Sequence, residues 1–223
     1  MFRKIVNDRT TGGVRAAVKK LWMEVRIQHR HYSSIKKVKR LSVEGNLKLN
    51  LGCGRNIKTG WINIDLFEEK ADLQLDLREE FPFPDESVAI IYSEHFFEHL
   101  EYPEEALKLL RESLRVLVPG GIFSVGVPDT EWTLTSYLTG DEEYFRIAKK
   151  LWHPKWCDTR LHHVNYHFRQ GREHKYAYDF ETLAKVFAQV GFVSIVKRSF
   201  NPDLDSIRRV FGTLYLDTKK PGN

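Results

Sequence analysis

The stretch 49-LNLGCGRNIKTGWINIDL-66 restricts the fold of this chain more than any other part of it. A strand-like apolar run ends in Gly52-Cys53-Gly54, and a second such run ends in Asp65, eleven positions after Gly54. Glycines directly after a strand let backbone N–H groups approach a ligand with no Cβ in the way. An acid that ends the next strand is placed to accept hydrogen bonds from two ribose hydroxyls. Together they point to a nucleotide-like ligand at the carboxyl ends of parallel strands. Only residues 52–60 separate the two runs, fewer than the roughly dozen residues of an ordinary crossover. A dinucleotide needs a full helix whose N-terminus faces its pyrophosphate, so a nucleoside without phosphates suits the site better. The Gly-x-x-x-x-Gly-Lys pattern of phosphate loops is absent as well. The plain alternative is a tight strand-turn with an exposed Asp, which a lone Gly-x-Gly does not exclude.

The rest of the chain alternates strand and helix patterns. Short apolar or alternating runs at 47–51, 61–66, 71–77, 88–92, 122–127, 192–198 and 210–216 read as seven strands. The run 88-VAIIY-92 is continuous, as in a strand buried on both faces. A helix is predicted over 103–117, with Glu104 and Glu105 in its first turn and Pro119-Gly120-Gly121 as its stop. A second is predicted from the N-cap Asp179 to Gly191. Strands alternating with helices imply an α/β, doubly wound, Rossmann-like and mostly parallel sheet. Residues 129–178 break the alternation and hold five of the nine histidines, so they read as an inserted lid.

Charge divides the chain in two. Residues 1–41 carry twelve Lys/Arg against Asp8 and Glu24, a net +10, whereas the remainder carries 23 basic and 28 acidic residues, a net −5. The expected organisation is a basic N-terminal arm and linker at 1–46, then one domain at 47–223. Within the arm Val14, Val18, Leu21, Trp22 and Val25 recur at helical spacing. Three uses are open for it: packing over the ligand, touching an anionic lipid surface, or gripping RNA phosphates. No run approaches the roughly 18 apolar residues a spanning helix needs, and the opening MFRKIVNDRT lacks an apolar signal core. The expected location is cytoplasmic, with peripheral contact to the inner face of the membrane. Cys53 and Cys157 lie far apart in the chain, so reduced thiols are the default.

Four motifs together, 49-LNLGCG-54, 60-GWINID-65, 76-DLREEFPFPDESVAIIYSEHFFEHL-100 and 115-RVLVPGGIFSVGVPD-129, resemble class I S-adenosylmethionine-dependent methyltransferases of the type-11-like bacterial branch. The resemblance covers about residues 47–216. It implies the seven-stranded methyltransferase fold and S-adenosylmethionine as cofactor. It also implies that Gly52, Cys53 and Gly54 pass beside the amino-acid half of the cofactor and that Asp65 holds the ribose hydroxyls. Leu66 would pack on the adenine, Asp76 and the Leu77 backbone would meet its amine, and Ser93 and Glu94 would border the sulfonium. Asn50 stands where relatives carry an acid, and Asn56 replaces a third glycine.

Methyl transfer from a sulfonium relies mainly on alignment, but a hydroxyl acceptor also needs a base. His95 follows the fourth strand directly and is the first candidate, with His99 and His174 behind it. Were 94-EHFFEHL-100 helical, Glu94 and Glu98 would share one face, and His95 and His99 another. The plain alternative for His99 is a packing role under the following helix. His153, Cys157, His162, His163, His167 and His174 form a cluster in sequence, yet neither a paired Cys-x-x-Cys nor His-Glu-x-x-His is present, and no metal is predicted. The expected reaction is methylation of a hydroxyl, or else a nitrogen, on a small molecule or glycan in polysaccharide or secondary-metabolite synthesis. An RNA methyltransferase using the arm and a non-catalytic binding domain are the alternatives.

Overall fold

The computed structural model describes residues 12–39 and 46–222 of the chain. The basic residues within 1–11 and the expected linker at 42–45 lie outside the described residues. A long helix, α1 (Gly12–Val38), precedes β1 (Leu47–Leu51), β2 (Ile62–Ile64) and β3 (Val88–Glu94). Then come α2 (Glu104–Val116), β4 (Leu117–Pro128), three lid helices α3 (Thr130–Thr139), α4 (Glu142–Leu151) and α5 (Arg160–Arg169), and finally α6 (Phe180–Val190), β5 (Val193–Arg198) and β6 (Thr213–Lys219).

The strands form one sheet in the order β2-β1-β3-β4-β6-β5. The first four run parallel, and β6 is antiparallel to both β4 and β5. The chain order reverses between β1 and β3, so the crevice of this doubly wound sheet opens beyond their carboxyl ends. The continuous apolar run of β3 lies at the centre, with Val88, Ile91 and Tyr92 fully buried. Helix α2 buries Ala106, Leu107, Leu109, Leu110 and Val116 against it. The cap residues read from sequence hold for α6: the Asp179 carboxylate accepts from the Thr182 N–H at 2.8 Å, and Gly191 ends the helix at φ 110°. No described helix is long and apolar enough to cross a membrane.

The sheet has six strands rather than the predicted seven. Residues 71–77 make one parallel bridge, Ile64 to Leu73, and no strand. Leu73 N–H donates to the Asn63 carbonyl and the Leu73 carbonyl accepts from Asp65 N–H, which is the one ladder pair this segment makes. The amides on its outer edge are held by α1: Ser34 Oγ accepts the Gln74 N–H at 2.8 Å and His31 Nδ1 accepts the Asp76 N–H at 3.1 Å. The face of α1 that docks is Ile27, His31, Ser34 and Val38. The stripe predicted from sequence lies elsewhere, with Leu21 64% and Trp22 60% exposed. The stop predicted for the 103–117 helix also shifts, since α2 ends at Val116 and Pro119-Gly120-Gly121 belong to β4.

The lid is helical, and each helix starts on a side-chain cap. Asp129 accepts from Trp132 N–H, Asp141 from Glu143 and Tyr144 N–H, and Thr159 from His162 N–H. It carries a small core of its own in which Tyr144, Phe145 and Ala148 pack with Trp132 and Trp152.

Candidate active site

The switch point brings three segments together. In register, Leu51 of β1 lies between Ile64 of β2 and Ser93 of β3, so residues 52–54, 65–66 and 93–95 share one edge. Cys53 N–H donates to the Ile64 carbonyl at 3.1 Å. The Asp65 carboxylate accepts three backbone N–H groups: Gly54 at 3.0 Å, Phe67 at 2.8 Å and Glu68 at 2.9 Å. These three bonds hold both turns around the acid. Asn50, buried, donates from its amide to the Asn56 carbonyl and the Asn63 side chain at 2.9 and 3.0 Å. An amide donates here, where an acid could only accept.

The two glycines have different jobs. Both have positive φ, 62° for Gly52 and 47° for Gly54. A Cβ on Gly52 would fall 2.2 Å from the Phe96 ring, whereas one on Gly54 would meet nothing within 4 Å. Gly52 is therefore a packing glycine, and Gly54 is the one that leaves open space. Cys53 between them is buried, and burial, with the charges of Asp65, Glu68 and Asp72, pushes its thiol up to about 12. It is inert as a nucleophile at neutral pH. Ser93 is buried and its Oγ has no hydrogen-bond partner among the described residues.

Asp76 lies against α1 and is held by Arg78, whose Nε and Nη2 donate to its two oxygens at 2.9 and 2.7 Å. Burial opposes its charge, but the hydrogen bonds and charge of Arg78 outweigh that and keep the carboxyl below its usual range. Leu77 is buried in the core. The Leu66 carbonyl accepts from Arg30 of α1 at 2.9 Å. Glu94 does not face open space: its Oε1 accepts from Ser206 N–H and the Tyr215 hydroxyl, each at 3.1 Å.

The other half of the edge belongs to histidine. The segment 94–100 forms a single three-residue helical turn, Phe97–His99, rather than the regular helix considered from sequence. His95, at φ 53°, stands before it in a conformation that a non-glycine residue rarely adopts. Its Nε2 lies 2.9 Å from Thr213 Oγ1 and its Nδ1 3.5 Å from Glu98 Oε1. His99 and His174 approach the same Oε1, each through Nε2 at 3.9 Å. Burial, with Arg209 next, holds His95 well below the ordinary histidine range. Burial also lowers His99 and His174 and pushes Glu98 up to about 8.

A cavity of about 300 Å³ opens between this edge and the lid. Its walls include His95, His153, His167, His174, Tyr144 and Arg209. His167 is buried between Thr130 Oγ1 and Thr133 Oγ1, at 3.0 and 3.1 Å, and burial brings it down to about 3. His153 stacks on His163, and burial brings it down to about 4. The sequence-predicted residues thus fall into two groups. Asn50, Gly52, Cys53, Gly54, Asp65, Leu66 and Ser93 surround the β1 turn, with Asp76 and Leu77 behind α1. His95, His99 and His174 converge on Glu98. Sequence reasoning missed Phe96 over Gly52, Thr213 behind His95 and Arg209 at the cavity wall. Only Phe96 had a signal, its place two residues beyond Glu94.

Residues 49–125 match a family model described as a methyltransferase domain. No curated protein matches the chain. Among solved structures, the chain is similar to one from a complex between the Haloferax volcanii Trm112 methyltransferase activator and a methyltransferase. That pair is 19% identical, covers 92% of this chain and 96% of that one, and has a TM-score of 0.46. A SAM-dependent methyltransferase from Archaeoglobus fulgidus is 16% identical over 87% of this chain and 94% of that one, with a TM-score of 0.48. Haemonchus contortus phosphoethanolamine N-methyltransferase 2 in complex with S-adenosyl-L-methionine is 13% identical over 84% of this chain and 51% of that one, with a TM-score of 0.49.

Proposed function

We propose that this chain, a class I S-adenosylmethionine-dependent methyltransferase, carries the methyl group to a hydroxyl of a small molecule or glycan end. The cavity between the lid and the β3 edge supports this reading, because it is small, lined by aromatic rings, and walled by imidazoles that burial holds neutral. Bound S-adenosylmethionine supplies a methyl on a sulfonium, whose thioether leaves without help from an acid. The residues at the switch point fit that cofactor: Gly54 leaves room beside its backbone, Ser93 offers an unpartnered hydroxyl, and Asp65 presents hydrogen-bond acceptors at the end of β2. In this reading Gly52, Cys53 and Gly54 border the amino-acid half, with Asn50 shaping their turn. Asp65 takes the ribose and Leu66 packs on the adenine. Asp76 and Leu77 act through backbone and shape, since the Asp76 carboxylate is already held by Arg78. Glu94 holds Ser206 and Tyr215 and so positions the β6 side of the cavity.

His95 takes the proton of the acceptor hydroxyl. Burial keeps its ring neutral, and Thr213 orients it. His174 stands beside it on the same wall, and His174 and His99 both face Glu98 and serve position. The discriminating measurement is turnover of a hydroxyl acceptor panel by His95→Ala alongside calorimetry with S-adenosylhomocysteine. Turnover should fall about 100-fold or more with affinity nearly unchanged; equal losses in both would give His95 a structural role instead.

We also propose that α1 touches an anionic membrane surface. Leu21, Trp22, Met23 and Val25 project from it, exposed, among Arg15, Lys19, Lys20 and Arg26. An apolar stripe among cationic residues is the pattern of an interfacial helix. Flotation with phosphatidylserine vesicles should capture the protein, and zwitterionic vesicles should not. Capture by neither, with salt-sensitive RNA binding in its place, would overturn the lipid reading.

A further inference from the structure

Glu98 is 1% exposed, and neither of its carboxylate oxygens has a hydrogen-bond partner among the described residues. Burying a carboxylate without partners is costly, yet the surroundings are polar and aimed at it. Nδ1 of His99 lies 3.0 Å from the Glu173 carbonyl, and Nδ1 of His174 lies 2.7 Å from the His167 carbonyl. A carbonyl only accepts, so both Nδ1 atoms carry the hydrogen and both Nε2 atoms present a bare lone pair. Those lone pairs face Oε1 of Glu98 at 3.9 Å. Three acceptors pointed at one another repel unless something positive sits among them. A proton shared between two of them leaves the third unserved, whereas one cation serves all three.

We propose that Glu98, His99 and His174 form a site for a first-row divalent cation of the zinc class. The three ligand atoms lie within 4.8 Å of one another. A tetrahedral ion with bonds of about 2.1 Å has ligand–ligand edges of about 3.4 Å, so the two Glu98 edges at 3.9 Å must shorten by about half an ångström, and the edge between the two histidines, within 4.8 Å, by about 1.4 Å at most. Two imidazoles and one carboxylate suit zinc and its neighbours and disfavour magnesium and calcium, which take oxygen ligands. Both imidazoles already have the outer partner that metal-bound histidines normally have, a carbonyl on the far nitrogen. Lys175 and Tyr176 N–H groups both donate to the Glu98 carbonyl, which pins the His174 segment to the Glu98 turn. The His99 side chain is 29% exposed and gives an ion a way in. Three protein ligands leave a fourth position open. His95 Nδ1, 3.5 Å from Glu98 Oε1, and the cavity wall formed by His95 and His174 lie next to it. If the hydroxyl-transfer reading holds, that position receives the acceptor oxygen; metal binding itself does not rest on that reading.

The test is zinc titration of the full chain after stripping with a chelator, followed by calorimetry and elemental analysis, with no acceptor present. Wild type should hold about one equivalent and prefer zinc over magnesium. Glu98→Gln and His99→Ala should each weaken binding by more than the roughly 10–100-fold that losing an outer partner costs. His99 is part-exposed, so its variant should fold even if the Glu98 variant does not, and circular dichroism reports this. Cys157→Ser should keep full affinity, because the second cluster of His153, Cys157 and His163 is a separate group. A zinc-free wild type, affinity retained in His99→Ala, affinity lost in Cys157→Ser, or preference for magnesium would each overturn the proposal. S-adenosylhomocysteine affinity measured on the same samples reads the methyltransferase site independently.

Discussion

Asp65 and Glu98 stand near the same edge of the sheet and are treated in opposite ways. Asp65 is half-buried and takes three backbone N–H groups, whereas Glu98 is fully buried and takes none. Around the first, every donor has a use and the turn is locked. Around the second, three histidine nitrogens approach without bonding, and the pKa of the acid rises. On the cofactor side Asp65 is satisfied by local backbone geometry, and the Ser93 hydroxyl is left without a partner among the described residues. The lid side is assembled from residues up to 118 positions apart, His95 to Thr213, and leaves both Glu98 oxygens without partners among the described residues. Unsatisfied buried groups are where function is most worth seeking.

The sharpest way to break this comparison is at the glycines. Gly52→Ala must accept both a positive φ and a clash with Phe96, and should lose roughly 3 kcal/mol in chemical denaturation. Gly54→Ala faces open space and should lose only about 1 kcal/mol. Equal losses would mean that Phe96 yields and that Gly52 is no packing residue. Next in size is Asp65→Ala, which removes hydrogen-bond acceptors and should weaken S-adenosylhomocysteine binding about 10- to 100-fold by calorimetry. Unchanged affinity would show that the acid serves the turn alone.

The two sides should also part with pH. His153 is neutral in the fold, and burial brings it down to about 4, whereas the unfolded chain takes a proton near 6.5. Protons therefore favour the unfolded lid as pH falls from about 6.5 toward 4, and stability is lost in that window and not above it. The Arg78-held Asp76 behaves differently: its folded pKa is lowered, so its contribution stays until pH falls below the ordinary carboxylate range. Amide exchange resolved along the chain should then show α3–α5 loosening at pH 5 while β1–β3 stay protected. Simultaneous loosening would mean the two sides unfold as one. The smallest expected effect is at Trp22→Ser, within about 0.5 kcal/mol of wild-type stability yet with reduced capture by anionic vesicles.

Much of the scaffold could be read in the chain before any fold was known. The apolar run of β3, the Asp179 and Gly191 caps of α6 and the spacing from Gly54 to Asp65 depend on neighbours within a few residues. The strand predicted at 71–77 shortens to a single bridge at Leu73, and its outer-edge Gln74 and Asp76 amides are held by Ser34 and His31, about 40 positions earlier, which no local pattern shows. The spacing around Trp22 identified an apolar face on a helix without saying whether that face docks, and in the structure it is exposed. The Ile27 to Val38 face carried His31 and Ser34, whose polar atoms were the ones with partners to meet.

Sequence alone determined most of the strands, the caps of α6 and the switch point, because period, capping and turn chemistry act over one or two turns of chain. Tertiary structure alone decided that Gly52 packs while Gly54 stays open, that Asp76 is already paired, and that His95, His99 and His174 meet at Glu98. Those outcomes depend on which polar groups find partners across the fold, and buried hydrogen bonding links residues without regard to their distance in sequence.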